Sequence, residues 1–241
     1  MTDFVLLHGA FHGGWCWARV APILRAAGHR VFTPTQTGLG DRAHLLHAGI
    51  TLTTFVDDLV AVLETEELSG AVVVGHSFGG NAITGAAERV PERIAHLVYL
   101  DAVVPRDGVS PLEVSVPEIA AERRRSGAAT GNVSIAPPDP QMFGVPEGPD
   151  ADWVRRRMTP HPFGSMNTVL ALRQPPGNGL PCTYVFCTDP VYSSLAWARE
   201  RAKGLGFAWR ELAAGHDCMV TAPDETAALL MEIADDPTPG P

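Results

Sequence analysis

The residues best suited to do chemistry are Gly75-His76-Ser77-Phe78-Gly79, a G-x-S-x-G pattern between an apolar run at residues 71–74 and a small-residue segment at residues 80–87. This order predicts a buried strand, an abrupt turn and a helix. In such a turn the serine hydroxyl stands clear of the backbone, near the positive end of the helix, and glycines relieve crowding. We therefore predict that Ser77 is a nucleophile and that His76 packs within the turn. The alternative is an ordinary glycine-rich turn, because the bare pattern often arises by chance.

The base that activates this serine is predicted to be His216. A serine hydroxyl is a weak nucleophile until a base takes its proton, and a third group must orient that base. His216 follows the predicted strand at residues 208–212 and precedes the last predicted helix, so it can loop over the strand ends toward Ser77. The alternative is a solvent-exposed histidine, the more common state of a lone loop histidine.

The orienting acid should follow an earlier strand. Asp189 comes just after the predicted strand at residues 183–187, and we favour it because that strand is next to the one that delivers His216. Asp101, at the end of the preceding predicted strand, competes for the role, and Asp217 does so less plausibly. Each could instead satisfy backbone N–H groups in a turn.

Two backbone N–H groups are needed to bind the oxyanion that forms when a serine attacks a carbonyl. Phe78, directly after the serine, supplies one, and Ala10, in the loop after the first strand, supplies the other. Gly9 permits close approach there. His8 and His12 bracket this loop, but no acid joins them at metal-ligand spacing, so no metal site is predicted.

The positions of these residues require a framework of strands and helices, and the chain shows both in alternation. Such alternation predicts an α/β fold with a mainly parallel central sheet and helices on both faces. Strands are predicted at residues 4–7, 30–33, 71–74, 96–100, 183–187 and 208–212, and helices at residues 15–27, 52–63, 194–204 and 224–233 as well as after Ser77.

Residues 105–181 differ from the rest, because they hold 13 of the 21 prolines and lack strand periodicity. We predict that they form an inserted lid over the carboxyl ends of the strands, where open α/β sheets bind ligands. Residues 1–104 and 182–234 then form the core, and residues 235–241 a flexible tail. The predicted apolar walls of a substrate pocket are Phe11, Met142, Phe143, Trp153, Phe163 and Met166. For each lid residue among them, holding the lid onto the core is an equally good interpretation.

Composition limits the partners. The net charge is −9 and the sequence pI is about 5.4, which disfavours nucleic acid and anionic membranes. The arginine runs at residues 123–125 and 155–157 are short and flanked by acids, so solvated helix faces explain them better than phosphate sites.

There is no Walker motif and no G-x-G-x-x-G pattern, and no cofactor is predicted. The expected partner is a small-molecule ester. The oligomeric state stays open, with a homodimer as one alternative.

Cysteine usage favours the cytoplasm. Cys16, Cys182, Cys187 and Cys218 form no C-x-x-C or zinc-type spacing, so buried reduced thiols are expected. The first strand begins so early that no signal peptide is expected, and no apolar stretch approaches membrane-spanning length.

Three stretches carry a resemblance to a known family: His8-Gly9-Ala10-Phe11-His12-Gly13-Gly14-Trp15-Cys16-Trp17, Ala26-Ala27-Gly28-His29 and Gly75-His76-Ser77-Phe78-Gly79-Gly80. They resemble the α/β-hydrolase superfamily, in particular the group of plant methylesterases and hydroxynitrile lyases. The loop at residues 37–42 is similar to that of bacterial esterase relatives. The resemblance covers most of residues 3–104, more loosely residues 183–231, and the lid only around residues 159–163. It implies an α/β-hydrolase fold and cofactor-free catalysis by a Ser–His–Asp triad.

Two departures separate the branches of that group. Its cyanohydrin-cleaving members use a threonine in the first loop and a lysine after the catalytic histidine, where this chain has Ala10 and Asp217. The esterase pattern therefore fits better than a hydroxynitrile lyase. The resemblance implies hydrolysis of an ester of a small, hydrophobic or aromatic molecule through an acyl-enzyme. One alternative is a secondary-metabolism tailoring enzyme that performs lactone hydrolysis, decarboxylation or cyclisation; another is a ligand receptor that has retained the fold.

Overall fold

Six parallel strands form the central sheet of the computed structural model, which describes residues 1–236. In the order in which they lie side by side, the strands are β2-β1-β3-β4-β7-β8. Their bounds are β1 Asp3–Leu7, β2 Arg30–Phe32, β3 Ala71–His76, β4 Ile94–Leu100, β7 Cys182–Cys187 and β8 Ala208–Leu212. Every residue of β3 is buried. Because successive side chains of a strand point to opposite faces, both faces of the sheet are covered at its centre.

Nine α-helices occur in the described part of the chain, together with a second, two-stranded antiparallel sheet. The helices are α1 Val20–Ala26, α2 Leu52–Thr65, α3 Gly79–Arg89, α4 Pro117–Ala129, α5 Pro149–Arg155, α6 Phe163–Asn167, α7 Ala196–Gly204, α8 Cys218–Thr221 and α9 Pro223–Asp235. The small sheet pairs β5 Ser134–Ile135 with β6 His161–Pro162. None of the helices in residues 1–236 is both long and apolar enough to cross a membrane.

The predicted α/β architecture is confirmed, and its helices begin and end for local reasons. A reciprocal capping box between Thr51 and Thr54 starts α2, whose buried face includes Phe55 and Leu59. The predicted helix at residues 15–27 is in fact a short 3-10 turn, Gly14–Trp17, followed by α1. The chain leaves α1 at Gly28, whose φ of +90° favours glycine.

The chain between β4 and β7 contains α4, α5, α6 and the small sheet, and we call residues 105–181 the insertion. Phe163 and Met166 anchor it, because both belong to the cluster of buried apolar residues that forms the core. Met166 is fully buried, and its carbonyl accepts a hydrogen bond from the Leu112 N–H (3.0 Å). Phe163 packs so closely on α4 that a Cβ on Gly127 would lie 2.5 Å from its ring. Of the predicted tail at residues 235–241, only the first two residues are described, and Asp235 still belongs to α9.

Candidate active site

Ser77 stands at a sharp turn between β3 and α3. Its φ of +52° is in the left-handed region, which a non-glycine residue occupies only when the surroundings impose it. Neighbouring glycines make room for the turn, since a Cβ on Gly75 would lie 2.9 Å from the Gly79 carbonyl oxygen, and one on Gly9 would lie 2.7 Å from the Ser77 Cβ. The turn thus holds the serine side chain out of the sheet and against the loop that follows β1.

A continuous chain of hydrogen bonds joins Ser77 to a buried carboxylate. The Ser77 hydroxyl donates to Nε2 of His216 (2.9 Å), and Nδ1 of His216 donates to Oδ2 of Asp101 (2.7 Å). The carboxylate beside Nδ1 assigns the proton to that nitrogen, which leaves Nε2 as the acceptor. Both the His216 and Asp101 side chains are almost completely removed from solvent. This arrangement can take a proton from the serine and stabilise the imidazolium that results.

The acid of this chain is Asp101, so the prediction of Asp189 is corrected. Asp189 is exposed, and its backbone N–H donates to the Ala214 carbonyl (3.0 Å), so it lies in a surface turn. Asp101 directly follows β4, the strand that lies beside β3 and its serine. The prediction failed because it placed the acid next to the strand that delivers His216, whereas the structure places it next to the strand that delivers Ser77.

Asp101 has a second neighbour in the cationic side chain of Arg199. Nη1 of Arg199 lies 3.7 Å from Oδ1 of Asp101, and this guanidinium also donates to the Tyr192 carbonyl (3.2 Å). A fully buried carboxylate is costly unless charges and donors compensate it. Arg199 and His216 together compensate Asp101.

The N–H groups predicted to bind an oxyanion lie beside the serine. Ala10 and Phe78 line the same cavity as Ser77. Neither N–H donates to another group of residues 1–236. Two free donors next to a nucleophile suit a tetrahedral oxyanion.

A second buried histidine–carboxylate pair connects the loops around Ser77. Nε2 of His12 donates to Oδ2 of Asp217 (3.0 Å), and Nδ1 of His12 donates to the Ala10 carbonyl (2.7 Å). Because Asp217 follows His216 in the chain, the pair links the loop of Ala10 to the loop of His216. Burial alone would lower the pKa of His12, but the Asp217 carboxylate outweighs burial and raises it. Burial opposes ionisation of Asp217, yet the charge of His12 lowers the pKa of this carboxyl.

His76, predicted to pack within the turn, also makes a specific contact. Its Nε2 donates to the carbonyl of His216 (2.9 Å), which ties the serine turn to the loop of the base. Burial, followed by the nearby charge of His216, holds the pKa of His76 well below the usual value. His76 is therefore a neutral donor, and together with the pair of His12 and Asp217 it fixes three loops to one another.

Two neighbouring cavities, which share part of their lining, lie at and beside Ser77. The inner cavity, of about 50 Å³, contains the serine, and the outer one, of about 370 Å³, lies against α4. Five residues line both cavities: Phe11, Ile119, Arg123, Phe143 and Tyr192. In the residues that the structure describes, we find no group of three or more histidine, cysteine, aspartate or glutamate side chains placed to hold a metal ion.

Three of the six predicted pocket residues line these cavities. Phe11 and Phe143 line both, and Met142 lines the outer cavity only, with 54% of its surface exposed. The remaining three are not among the lining residues. Trp153 packs edge-on against Trp15 (ring centroids 5.0 Å apart), and Phe163 and Met166 anchor the insertion as described above.

Sequence reasoning missed several residues of the cavity wall. The ring of Tyr192 lies 4.2 Å from that of His216, but its position in a loop gave no periodic signal. The prediction of a solvated helix face at residues 123–125 holds for Arg124 and Arg125, which are exposed. Arg123 instead faces the cavities. The sequence signal for this position was the apolar Ile119, which lies four residues earlier on the same face of the helix, because α4 has no continuous apolar stripe.

Comparison with known proteins agrees with this geometry. Residues 4–229 match the alpha/beta hydrolase family, and the chain belongs to it. The chain is 37% identical over 239 residues to a carbendazim hydrolyzing esterase of Nocardioides sp. (strain SG-4G). This match covers 95% of this chain and 98% of the relative. It is 30% identical over 187 residues to the putative methylesterase 14, chloroplastic, of Arabidopsis thaliana, covering 71% of this chain and 54% of the relative.

A solved structure shows the same fold. The extracellular alpha/beta-hydrolase from a Paenibacillus species, described as sharing structural and functional homology with tobacco salicylic acid binding protein 2, superposes with a TM-score of 0.86. It is 26% identical, and the match covers 96% of this chain and 98% of that one. The resemblance to plant methylesterases and bacterial esterases is confirmed, and the chain is a carboxylic ester hydrolase.

Proposed function

We propose that the chain hydrolyses an ester of a small, hydrophobic molecule through an acyl-enzyme formed on Ser77. The observation that carries the proposal is the hydrogen-bonded chain from the Ser77 hydroxyl through His216 to Asp101. Each link has the length of an ordinary hydrogen bond, and the base and the acid are shielded from water. A purely structural role of His216 does not explain why the serine that donates to it is held at a positive φ beside two free N–H donors.

The first half of the reaction forms the acyl-enzyme. Nε2 of His216 takes the hydroxyl proton while the Ser77 oxygen forms a bond to the ester carbonyl carbon. The N–H groups of Ala10 and Phe78 stabilise the oxyanion of the tetrahedral intermediate, and Asp101 stabilises the imidazolium. The C–O bond to the alcohol then breaks, and His216 returns the proton to the departing alkoxide.

The second half releases the acid by the same groups. Nε2 of His216 takes a proton from water, whose oxygen attacks the acyl carbon. The same two N–H groups bind the second oxyanion, and collapse of the intermediate returns the Ser77 oxygen with the proton from His216. Asp101 holds the imidazole in the required tautomer throughout.

The cavities indicate the shape of the substrate. The inner cavity is small, so the group beside the scissile bond is compact, whereas the larger outer cavity admits the rest of the molecule between Phe11, Phe143 and Tyr192. Aromatic walls of this kind favour a hydrophobic or aromatic ester. The name of the related Nocardioides esterase makes carbendazim a direct test substrate for this chain.

We further propose that the insertion acts as a lid and that the protein is cytoplasmic. The insertion covers the serine, because four of its residues line the inner cavity with Ser77: Pro111, Val116, Ile119 and Phe143.

The proposed cytoplasmic location rests on the cysteines, since all four are free and buried, as expected for a reducing compartment. Fractionation of the source cells tests the location, and activity found in the medium or in an oxidising compartment contradicts it.

The test is the initial rate on 4-nitrophenyl acetate and on longer 4-nitrophenyl esters, measured for the wild type and for Ser77→Ala. We expect the substitution to lower kcat by at least about 10⁴-fold while the fold is retained. Equal residual rates in both proteins would exclude the serine mechanism. A folded wild type that cleaves no ester, carbendazim included, would instead favour the tailoring enzyme or the receptor.

A further inference from the structure

Arg123 occupies an unusual place at the active site. It lies in the middle of α4, and its side chain lines both the inner cavity with Ser77 and the outer cavity. The half-buried guanidinium is therefore at the junction of the two cavities. Its neighbours there are largely apolar, since Phe11, Ile119, Phe143 and Tyr192 are the other residues that both cavities share.

The guanidinium of Arg123 lacks an acidic partner. Its single hydrogen bond goes to the Ser115 hydroxyl oxygen (3.1 Å), and no carboxylate of residues 1–236 lies within 4.0 Å of it. Arg42 pairs with Asp58 (3.0 Å) and Arg199 with Asp101 (3.7 Å). Two half-buried arginines without an acidic partner, Arg93 and Arg201, donate to backbone carbonyls instead. Within residues 1–236, Arg123 has neither an acid nor a carbonyl as partner, so its Ser115 contact leaves most of the five N–H donors of the guanidinium unused.

The charge of Arg123 is also felt inside the site. Burial lowers the pKa of His161, and the positive charge of Arg123 lowers it further. His161 packs against the rings of Phe11 and Phe78 (centroids 5.5 and 4.9 Å away), two residues that line the inner cavity. Burial lowers the pKa of Arg123 itself. The guanidinium is thus partly dehydrated where it lines the two cavities.

We propose that Arg123 binds a carboxylate of the substrate, so that the ester cleaved at Ser77 is one that carries a second, ionised carboxyl group. The planar fork of a guanidinium matches the two oxygens of a carboxylate, and a partly desolvated cation gains most from such a partner. This inference rests on the proposed function, because it assumes that the scissile carbonyl lies at Ser77. The apolar stem of the substrate then lies among the shared aromatic side chains.

The acids of the outer cavity fix where the carboxylate binds. Glu118 and Glu122 line that cavity and are exposed, and Glu122 forms an ion pair with Arg125. Their charges repel an anion further out. The carboxylate is therefore expected at Arg123, at the junction, and not beyond it.

The experiment compares three 4-nitrophenyl esters of equal chain length. They are the mono-ester of suberic acid, with a terminal carboxylate, the ester of suberamic acid, with a neutral terminal amide, and the octanoate, with a terminal methyl group. Each is assayed with the wild type, with Arg123→Met and with Arg124→Met. Arg124 is the matched control, because it is the next arginine of the same helix but is exposed.

We expect Arg123→Met to lower kcat/KM for the suberate ester about tenfold or more, as loss of a charge-assisted bidentate contact does. The same substitution should change kcat/KM for the octanoate ester less than about twofold. Arg124→Met should leave kcat/KM for the suberate and octanoate esters unchanged. Equal losses on suberate and octanoate overturn the proposal, as does no loss on either. A loss on the amide ester equal to that on the suberate ester assigns a neutral acceptor and also overturns it.

A binding measurement separates this inference from the proposed function. Calorimetry with monomethyl suberate and dimethyl suberate is performed on Ser77→Ala and on the double variant that adds Arg123→Met. We expect the added substitution to weaken the monoacid about tenfold and to leave the diester unchanged. Selective weakening of the monoacid, together with a wild type that cleaves no ester, would keep the carboxylate site and reject the esterase mechanism. Equal binding of the monoacid to both variants rejects the carboxylate site even if esters are cleaved.

Discussion

The two halves of the active site are built in different ways. The proposed catalytic half consists of Ser77, His216 and Asp101, which follow the carboxyl ends of strands β3, β8 and β4 and are joined by hydrogen bonds of 2.7 to 2.9 Å. The binding half comes largely from the insertion, where helix α4 and the loop of Phe143 supply walls through apolar contact. The first half depends on backbone geometry and fixes the reaction. The second depends on side-chain identity and selects the substrate.

The sharpest test of the catalytic half exchanges the acid. Asp101→Asn should lower kcat/KM by about 10³- to 10⁴-fold, because an amide beside Nδ1 of His216 no longer favours the reactive tautomer or stabilises the imidazolium. Asp189→Asn is the matched control and should change kcat/KM by less than about twofold, since this side chain is exposed. Steady-state kinetics on a 4-nitrophenyl ester decide. A larger loss from Asp189→Asn would restore the acid that the sequence favoured.

The buried pair of His12 and Asp217 tests whether the loops of the catalytic half are held together. Asp217→Asn leaves the raised-pKa imidazole of His12 without its counter-ion, so we expect a loss of about 3–5 kcal/mol in the free energy of unfolding, measured with urea. The His12→Gln, Asp217→Asn double variant removes both charges and should recover part of that loss. A double variant no better than the sum of the single ones would show that the two side chains act independently.

The insertion should respond differently from the catalytic half. Phe143→Ala opens the wall shared by both cavities, so we expect the ratio of kcat/KM values for long and short 4-nitrophenyl esters to change about tenfold, with smaller effects on kcat for the short ester. Trp153→Ala is the comparison, because Trp153 packs against Trp15 outside the cavities. It should lower stability and leave the ratio unchanged. If Trp153→Ala shifts the ratio as much as Phe143→Ala does, the walls are assigned wrongly.

The buried histidines also predict a pH dependence of stability. Burial lowers the pKa of His8 to about 4, and it also lowers those of His76 and His161. These histidines are neutral when folded but take up protons when unfolded, so their contribution is present above pH 6.5 and is lost as pH falls. For His8 alone the loss at pH 5 is about 2 kcal/mol. His12, with a raised pKa, acts in the opposite sense.

Urea unfolding at pH 7.5 and pH 5.0 measures this effect. The midpoint should be lower at pH 5.0, because the four histidines with a lowered pKa, which include His96, outweigh the single one with a raised pKa. His161→Gln should reduce the difference between the two midpoints, since glutamine has no proton to take up. An unfolding midpoint that rises on acidification contradicts the assignment of neutral buried histidines.

What the sequence could predict follows the same division. Ser77 and His216 were predictable because each depends on a local order of strand, turn and helix that short stretches of sequence record. Asp101 and Asp189 each follow a strand, and choosing between them requires the order of strands across the sheet, which depends on contacts between distant segments. The role of Arg123 was not predictable, because three successive arginines look alike until the packing of α4 separates them.

The hydrogen bonds of His12 have a consequence for protein engineering. His12, in the loop after the first strand, and Asp217, directly after His216, lie 205 positions apart in the chain, yet they form one buried ion pair. Grafting one segment from a relative that lacks the corresponding residue would leave the remaining charge buried without its counter-ion. When this chain is recombined with its relatives, residues 8–14 and 215–218 should therefore be exchanged together, although they are far apart in the sequence.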